Sequence, residues 1–281
     1  MRSFSFICDL CVNPFKMNLF YTPDIASNFH SLSEEESRHC QKVLRMREGE
    51  TIHLTDGRGT LYEARIVDGQ SRQVSVEVIG KQENYGKRDY RVHLAVAPTK
   101  NNDRFEWFLE KATEIGVDEI TPLICDHSER RHLRLERLEK VITAAVKQSL
   151  KAYHPKLNEP LAFSKFIASQ SKQIPASPPP GSPASQLPSL HASNPPSSPA
   201  NLNSQNKFIA YITEGAPSLK QLYQSGSDAV ILIGPEGDFS NPEVDAAIKS
   251  GFRVVSLGES RLRTETAAVV ACHTVALSSG F

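Results

Sequence analysis

From Tyr90 to the C-terminus short apolar runs alternate with helical stretches, and this alternation constrains the fold more than any other feature. "YRVHLAVA" (90–97), "DEITPLI" (118–124), "KFIAYIT" (207–213), "DAVILIG" (228–234) and "FRVVSLG" (252–258) read as strands. "DRFEWFLEKATEIG" (103–116), "LRLERLEKVITAAVKQSLKA" (133–152), "PEVDAAIKS" (242–250) and "TETAAVVACHTVAL" (264–277) read as helices. Strands separated by helices must run mostly parallel, with helices covering both faces of the sheet. Residues 89–281 are therefore expected to form an α/β domain.

The preceding segment has a different period. "TIHLTD" (51–56), "TLYEARIVD" (60–68) and "RQVSVEVIG" (72–80) alternate apolar and polar residues, punctuated by "DGRG" (56–59) and "DGQ" (68–70). This pattern predicts a small antiparallel sheet or barrel over residues 17–88. Ahead of it "SEEESRHCQKVLRM" (33–46) reads as a helix, with Ser33 as its cap and Glu36 at the capping-box position.

Two segments fit neither pattern. Residues 171–206 hold nine of the chain's 18 prolines and nine serines, with no acidic or aromatic residue. Such a composition cannot offset the entropy of ordering, so a disordered, solvated insertion is expected, in preference to a PxxP docking motif. Met1–Lys16 reads as an unstructured extension: Asp9 interrupts its apolar stretch, no small-residue cleavage site follows, and Met17 is a second candidate start. Cys8 and Cys11 form a lone CxxC, short of the four ligands of structural zinc, and no metal is expected.

Charge and cysteine content narrow the function. Lys+Arg and Asp+Glu balance at 32 each, so a nucleic-acid partner would need a local basic surface. The segment 129–156 offers one, with eight Lys/Arg against three glutamates; a solvated helix face laced with ion pairs accounts for it equally well. Five scattered cysteines suit a reducing cytoplasm better than a disulfide framework. No stretch approaches the ~18 apolar residues of a membrane helix.

Ligands of parallel sheets bind beyond the carboxyl ends of the strands. Three strand ends carry unusual loops: "ITEGAP" (212–217), "IGPEGDFS" (233–240) and "LGESRLRTETA" (257–267). Each has a glycine close after the strand, where a side chain would block backbone approach. Ser240 and Glu243 form a capping box for the next helix, and Thr264 reads as the N-cap of the last. None is a GxGxxG or GxxxxGK[ST] phosphate cradle, and Glu236 would repel a polyphosphate. An acidic residue there suits ribose hydroxyls, an amine or a positive charge. One such loop alone reads as a tight turn; three in one half of the chain indicate a ligand site.

"IGPEGDFSNPEV" followed by "GFRVVSLGESRLRTETAAVVA" resembles the C-terminal signature of the bacterial 16S ribosomal RNA (uracil-N3) methyltransferase family, within the SPOUT superfamily. "HCQKVLRMREGE" (39–50), "DGRGTLYEARI" (56–66), "KNNDRFEWFLEKATEIGVDEITPL" (100–123) and "AVKQSLKAYHPKL" (145–157) extend the resemblance over most of residues 17–281, the insertion excepted. Asp238 stands where a second glycine is common, and Lys151 where an arginine is common.

The resemblance implies a trefoil-knotted C-terminal parallel sheet behind a small N-terminal, PUA-like RNA-binding β-barrel. It implies S-adenosylmethionine held by Thr213, Glu214, Ile233, Gly234, Pro235, Glu236, Gly237, Leu257, Gly258, Leu262 and Thr264. It implies a homodimer acting on 16S rRNA or the small ribosomal subunit, with Arg38, Lys42, Arg45, Arg47 and Arg104 on the RNA. Arg263 and Glu265 are the candidate catalytic pair; a scaffold ion pair of Arg263 with Glu265 or Glu236 is the alternative. Phe105, Trp107 and Phe108 suit core packing better than base stacking, since Phe105, Phe108 and Leu109 share one helix face. A ribose 2′-O-methyltransferase of the same superfamily and a non-catalytic ribosome-assembly factor are the rival readings.

Overall fold

The computed structural model describes residues 17–171 and 206–280. Cys8, Cys11 and most of the Pro/Ser-rich stretch lie outside them; Asn206 already belongs to a strand. The described chain divides into two compact units. One takes the residues up to Arg88 together with Glu136–Pro155; the other takes Asp89–Leu135 and the residues from Lys156 onward.

The first unit is built on a five-stranded sheet in the order β1-β3-β4-β5-β2. Its strands are β1 (Leu19–Tyr21), β2 (Phe29–Ser31), β3 (Thr51–Thr55), β4 (Leu61–Asp68) and β5 (Ser75–Gln82). β1 runs parallel to β3 and the other pairings are antiparallel. Register shifts in β4 at Glu63/Ala64 and Ile66/Asp68 increase the local twist of the sheet. Period-two alternation directs Ile52, Leu54, Ala64, Ile66, Val74 and Val76 into one core with Phe20 and Leu32. Burying each large side chain contributes about 1.5–3 kcal/mol.

Ser33 caps α1 (Glu34–Arg38), accepting from Glu36 N at 3.2 Å. The reciprocal half of the expected capping box is absent: Glu36 Oε1 accepts instead from Lys147 Nζ at 2.7 Å. After Arg38 the helix widens into a π-helical segment, His39–Leu44, which Arg45 ends in the left-handed region (φ 55°).

Lys147 belongs to α3 (Leu135–Gln148), whose core-facing residues are Leu138, Ile142, Ala145 and Val146. The composition of the sequence places this helix in the C-terminal half, whereas nearly all of it groups with the first unit. The "DGRG" turn shows why. Gly59 N donates to Ala152 O, His154 N donates to Gly57 O, and Tyr21 stacks on His154 at 4.8 Å. A Cβ on Gly59 would lie 2.3 Å from the Tyr153 ring, at φ +105°. Gly59→Ala is therefore expected to destabilise the protein by about 1–3 kcal/mol, as overpacking does, read as a lower urea midpoint.

The second unit contains a seven-stranded sheet in the order β12-β10-β11-β6-β7-β8, with β9 also paired to β7. Its strands are β6 (Val92–Val96), β7 (Glu119–Ile124), β8 (Lys156–Leu157), β9 (Leu161–Ala162), β10 (Asn206–Ala210), β11 (Ala229–Ile233) and β12 (Arg253–Val255). Every pairing is parallel. All five residues of β11 are buried, as a central strand covered on both faces requires.

α2 (Asn102–Ile115) and α7 (Thr264–Ser278) pack together and α7 lies on β6 and β11. Phe105, Phe108 and Leu109 of α2 are buried to 1 % exposure or less, so the core reading of these aromatics holds, while Trp107 is 42 % exposed. Gly116 closes α2 in the left-handed region (φ 119°), its N–H on Ala112 O. A second layer holds α4 (Phe163–Ser171) and α6 (Asn241–Lys249), with Phe163, Phe166, Val244 and Ala247 joining the sheet residues Ala95, Val230 and Leu232. α5 (Leu219–Leu222) is a single capped turn between β10 and β11.

Candidate active site

Because the sheet is parallel, the loops after β6, β7, β10, β11 and β12 leave from the same edge. β6 and β11 are neighbours in the sheet but far apart in sequence, with β7 and β10 on their outer sides; this reversal of strand order is where open α/β sheets bind ligands.

The three loops singled out in the sequence come together there. Ser256 N, at the end of β12, donates to Pro217 O at 2.9 Å, and Leu219 N donates to Ser256 O at 2.9 Å, which joins the loops after β12 and β10. The backbone of Ile212 donates to the Asp238 carboxylate, joining the loops after β10 and β11. Thr264 Oγ1 donates to Gly234 O at 3.0 Å, joining the loop after β11 to the start of α7. Thr264 is thus not the N-cap expected from the sequence. Arg263 holds that position with extended backbone (φ −71°, ψ 154°), which frees the Thr264 hydroxyl to tie two loops.

Within this frame Ile233, Gly234 and Pro235 are buried, whereas Thr213, Glu214, Glu236, Gly237 and Gly258 are exposed and Leu257 and Leu262 half-buried. The glycines differ in what they serve. A Cβ on Gly234 would meet the Phe239 ring at 3.1 Å and Asp238 Oδ1 at 3.2 Å. One on Gly237 would meet His127 Cβ at 3.1 Å. The space around both is taken by the chain's own side chains. Gly258 has open space around it but adopts φ +141°, which side chains rarely tolerate, and Ser256 Oγ bonds both its N–H and its C=O.

Asp238 occupies a left-handed conformation, φ 62°, without being glycine. Aspartate tolerates this region through local hydrogen bonding, and Asp238 Oδ1 accepts from Phe239 N at 2.8 Å. Burial pushes its carboxyl up, opposed by the Phe239 and Ile212 amides and by the charges of Arg261 and His127.

The two candidate catalytic residues differ in their surroundings. Arg263 is exposed, and among the described residues its guanidinium has no hydrogen bond or ion pair, so the scaffold pairing with Glu265 or Glu236 is not formed. Glu265, 7 % exposed in the first turn of α7, faces Arg104 Nε at 3.8 Å through Oε1. Among the described residues its Oε2 is buried without a hydrogen-bond partner. The structure thus sets Arg104, expected on RNA, beside Glu265. Arg38, Lys42, Arg45 and Arg47 are all exposed in the first unit.

The basic segment 129–156 is partly consumed internally. Lys147 pairs with Glu36 and Lys156 with Glu119, while Arg130 donates to Lys100 O at 2.7 and 3.1 Å. Two further loops border the site beside the three strand-end loops named from the sequence. Lys100, after β6, donates its N–H to Glu236 Oε1 at 3.0 Å. The loop after β7 reaches 234–240 through Asp126 and His127. The segment "ITPLICDHSER" (120–130) ends a strand at this same edge but carries no glycine to mark close backbone approach.

Fold and site together define a class, a parallel α/β domain with a polar loop edge and, in the same chain, a small β domain. Residues 87–276 match the RNA methyltransferase domain and residues 32–79 the RNA methyltransferase PUA domain. The chain belongs to the RNA methyltransferase family. It is similar, at 39 % identity and a TM-score of 0.75, to a crystal structure described as a "probable rRNA-methyltransferase" from Porphyromonas gingivalis, over 93 % of this chain and 99 % of that one. It resembles ribosomal RNA small subunit methyltransferase E from Neisseria gonorrhoeae, solved bound to S-adenosyl methionine, at 25 % identity and TM-score 0.72, covering 92 % and 95 %. Ribosomal RNA small subunit methyltransferase E of Buchnera aphidicola is 26 % identical, over 87 % of this chain and 86 % of its own.

Proposed function

We propose that this chain transfers the methyl group of S-adenosylmethionine to N3 of a uridine in 16S rRNA, as a homodimer in the cytoplasm. The observation that carries this reading is the convergence of loops 212–217, 234–240 and 256–264 at the reversal point of the sheet, tied by Thr264 to Gly234. The residues fit the cofactor. Exposed Glu214 and Glu236 suit a cationic sulfonium, an amine and ribose hydroxyls, and the loops lack a phosphate cradle.

When bound, the cofactor supplies an electrophilic methyl group. The chain's main task is then to hold donor and nucleophile in near-attack geometry, a contribution of up to ~7–11 kcal/mol. Uracil N3 carries a proton at neutral pH and sits on the Watson–Crick edge, so the base must be unpaired and must lose that proton. Arg263, exposed and unpaired, stabilises the charge developing on the ring. Glu265, whose Oε2 has no donor among the described residues, is the group of the pair that takes the N3 proton, and its Oε1 faces Arg104 Nε at 3.8 Å.

Exposed Arg38, Lys42, Arg45 and Arg47 give the first unit the basic surface an RNA backbone needs in a chain of zero formal charge. α7 supports a dimer: Val269 and Val270 are half-buried and Leu277 is 56 % exposed on a helix whose one Asp, Glu, Lys or Arg is Glu265. β12 pairing outside β10 and the run 217–219 lying against Ser256 support the expected trefoil topology. Among the described residues no helix is long and apolar enough to cross a membrane.

The test is labelled S-adenosylmethionine with small subunits lacking the modification, followed by nucleoside analysis. N3-methyluridine is the expected product. Methyl on a ribose hydroxyl would place the chain among 2′-O-methyltransferases, and cofactor binding without transfer to any RNA would make it an assembly factor.

A further inference from the structure

The loop after β7 lies outside the sequence motifs that carry the family resemblance, yet it grips the loop 234–240 from one side. His127 Nδ1 lies 3.2 Å from Gly237 O and 3.0 Å from Asp238 O. Both acceptors are carbonyls, so Nδ1 carries the proton and donates to the pair. The neighbouring contacts reinforce the grip. Ser240 Oγ donates to Asp126 Oδ2 at 2.7 Å, and Asp126 N donates to Glu243 Oε1 at 3.0 Å. Lys100 N also donates to Glu236, and Arg130, from the same loop as His127, donates to Lys100 O.

Three features make His127 the decisive contact. It engages two successive carbonyls and so fixes two successive peptide planes. Those planes flank Asp238, whose left-handed φ of 62° is supported also by the Phe239 and Ile212 amides on its carboxylate. Finally, the absence of a side chain at Gly237 is what lets the imidazole approach, since a Cβ there would stand 3.1 Å from His127 Cβ. The second glycine of "GPEG" is therefore spent on seating His127.

We propose that His127 is a positioning residue of the cofactor loop: its Nδ1–H clamps the carbonyls of Gly237 and Asp238 and keeps residues 234–239 in the shape that receives S-adenosylmethionine. This rests on the reading of that loop as a cofactor loop. His127 is exposed, so its removal should hardly touch the core.

The experiment is calorimetric titration of the full chain with S-adenosylmethionine, with thermal melting alongside. His127→Ala is expected to weaken binding about tenfold with melting shifted by no more than about 2 °C, the loss of one doubly used hydrogen bond. His127→Asn, whose side-chain amide nitrogen falls near the position of Nδ1, is expected to restore affinity to within about threefold. Wild-type affinity in His127→Ala, or a loss that Asn fails to restore, overturns the assignment. Gly258→Val separates the two levels. If it abolishes binding while His127→Ala does not, only the clamp fails; if both bind as wild type, the cofactor reading of these loops fails with it.

Discussion

Arg263→Ala is expected to lower the single-turnover rate of methyl transfer by about 10²–10³, with cofactor affinity nearly unchanged. The magnitude is that of losing one preorganised donor to a developing negative charge. The structure separates this effect from a stability effect. Arg263 is the N-cap of α7 through its backbone, its C=O accepting from Ala267 N at 2.8 Å, and that bond survives truncation of the side chain. Its guanidinium is exposed and unpaired among the described residues, so no buried partner is orphaned. Arg263→Lys keeps the charge but loses the planar fork and should recover only part of the rate. Rapid-quench measurement under single-turnover conditions reads the chemical step directly, and an unchanged rate would remove Arg263 from it.

Gly258→Val is expected to weaken S-adenosylmethionine binding by at least about 10², by a route other than a clash. A Cβ at 258 meets no atom within 4 Å, but the backbone sits at φ +141°. Such a conformation costs a non-glycine residue about 1–3 kcal/mol, and most for a β-branched one. The loop relieves this by rotating, which breaks the two bonds between Ser256 Oγ and the Gly258 backbone. The core is untouched, because Val255 is the last buried residue before the loop. Gly258→Ala, lacking the branch, should lose less. Equal affinity in wild type and Gly258→Val, by calorimetry, would exclude this loop from the site.

Much of the architecture could be read from residue order. A strand such as "AVILI" is apolar throughout because both of its faces are covered, and that condition shows in the sequence before any neighbour is known. "EKATEIG" ends a helix because only glycine takes φ 119° without strain, a purely local rule. The edge that carries the loops follows once the strands are parallel. The short elements were not legible: β8 and β9 are two residues each, too few for any period, and they exist only because β7 offers them an edge.

What sequence could not decide was always a choice of partner. Glu36 sits where a capping box puts it, but its carboxylate turns to Lys147, since a buried charge gains more from an opposite charge than from an amide. Thr264 has the composition of a cap and becomes a tie to Gly234, because the β11 carbonyl lies within reach of its hydroxyl. An amphipathic helix such as α3 states that one face is buried and says nothing of what buries it; the glycines of "DGRG" and the ring of Tyr153 settle that in favour of the first unit. The sequence by itself determined the longer strands and helices, the ligand-bearing edge and the glycines that edge requires, since these follow from periodicity and backbone sterics. Tertiary structure alone decided that Gly237 makes room for His127, that Glu265 faces Arg104 and that Arg263 is left unpaired, because contacts between residues distant in the chain depend on where the sheet delivers them.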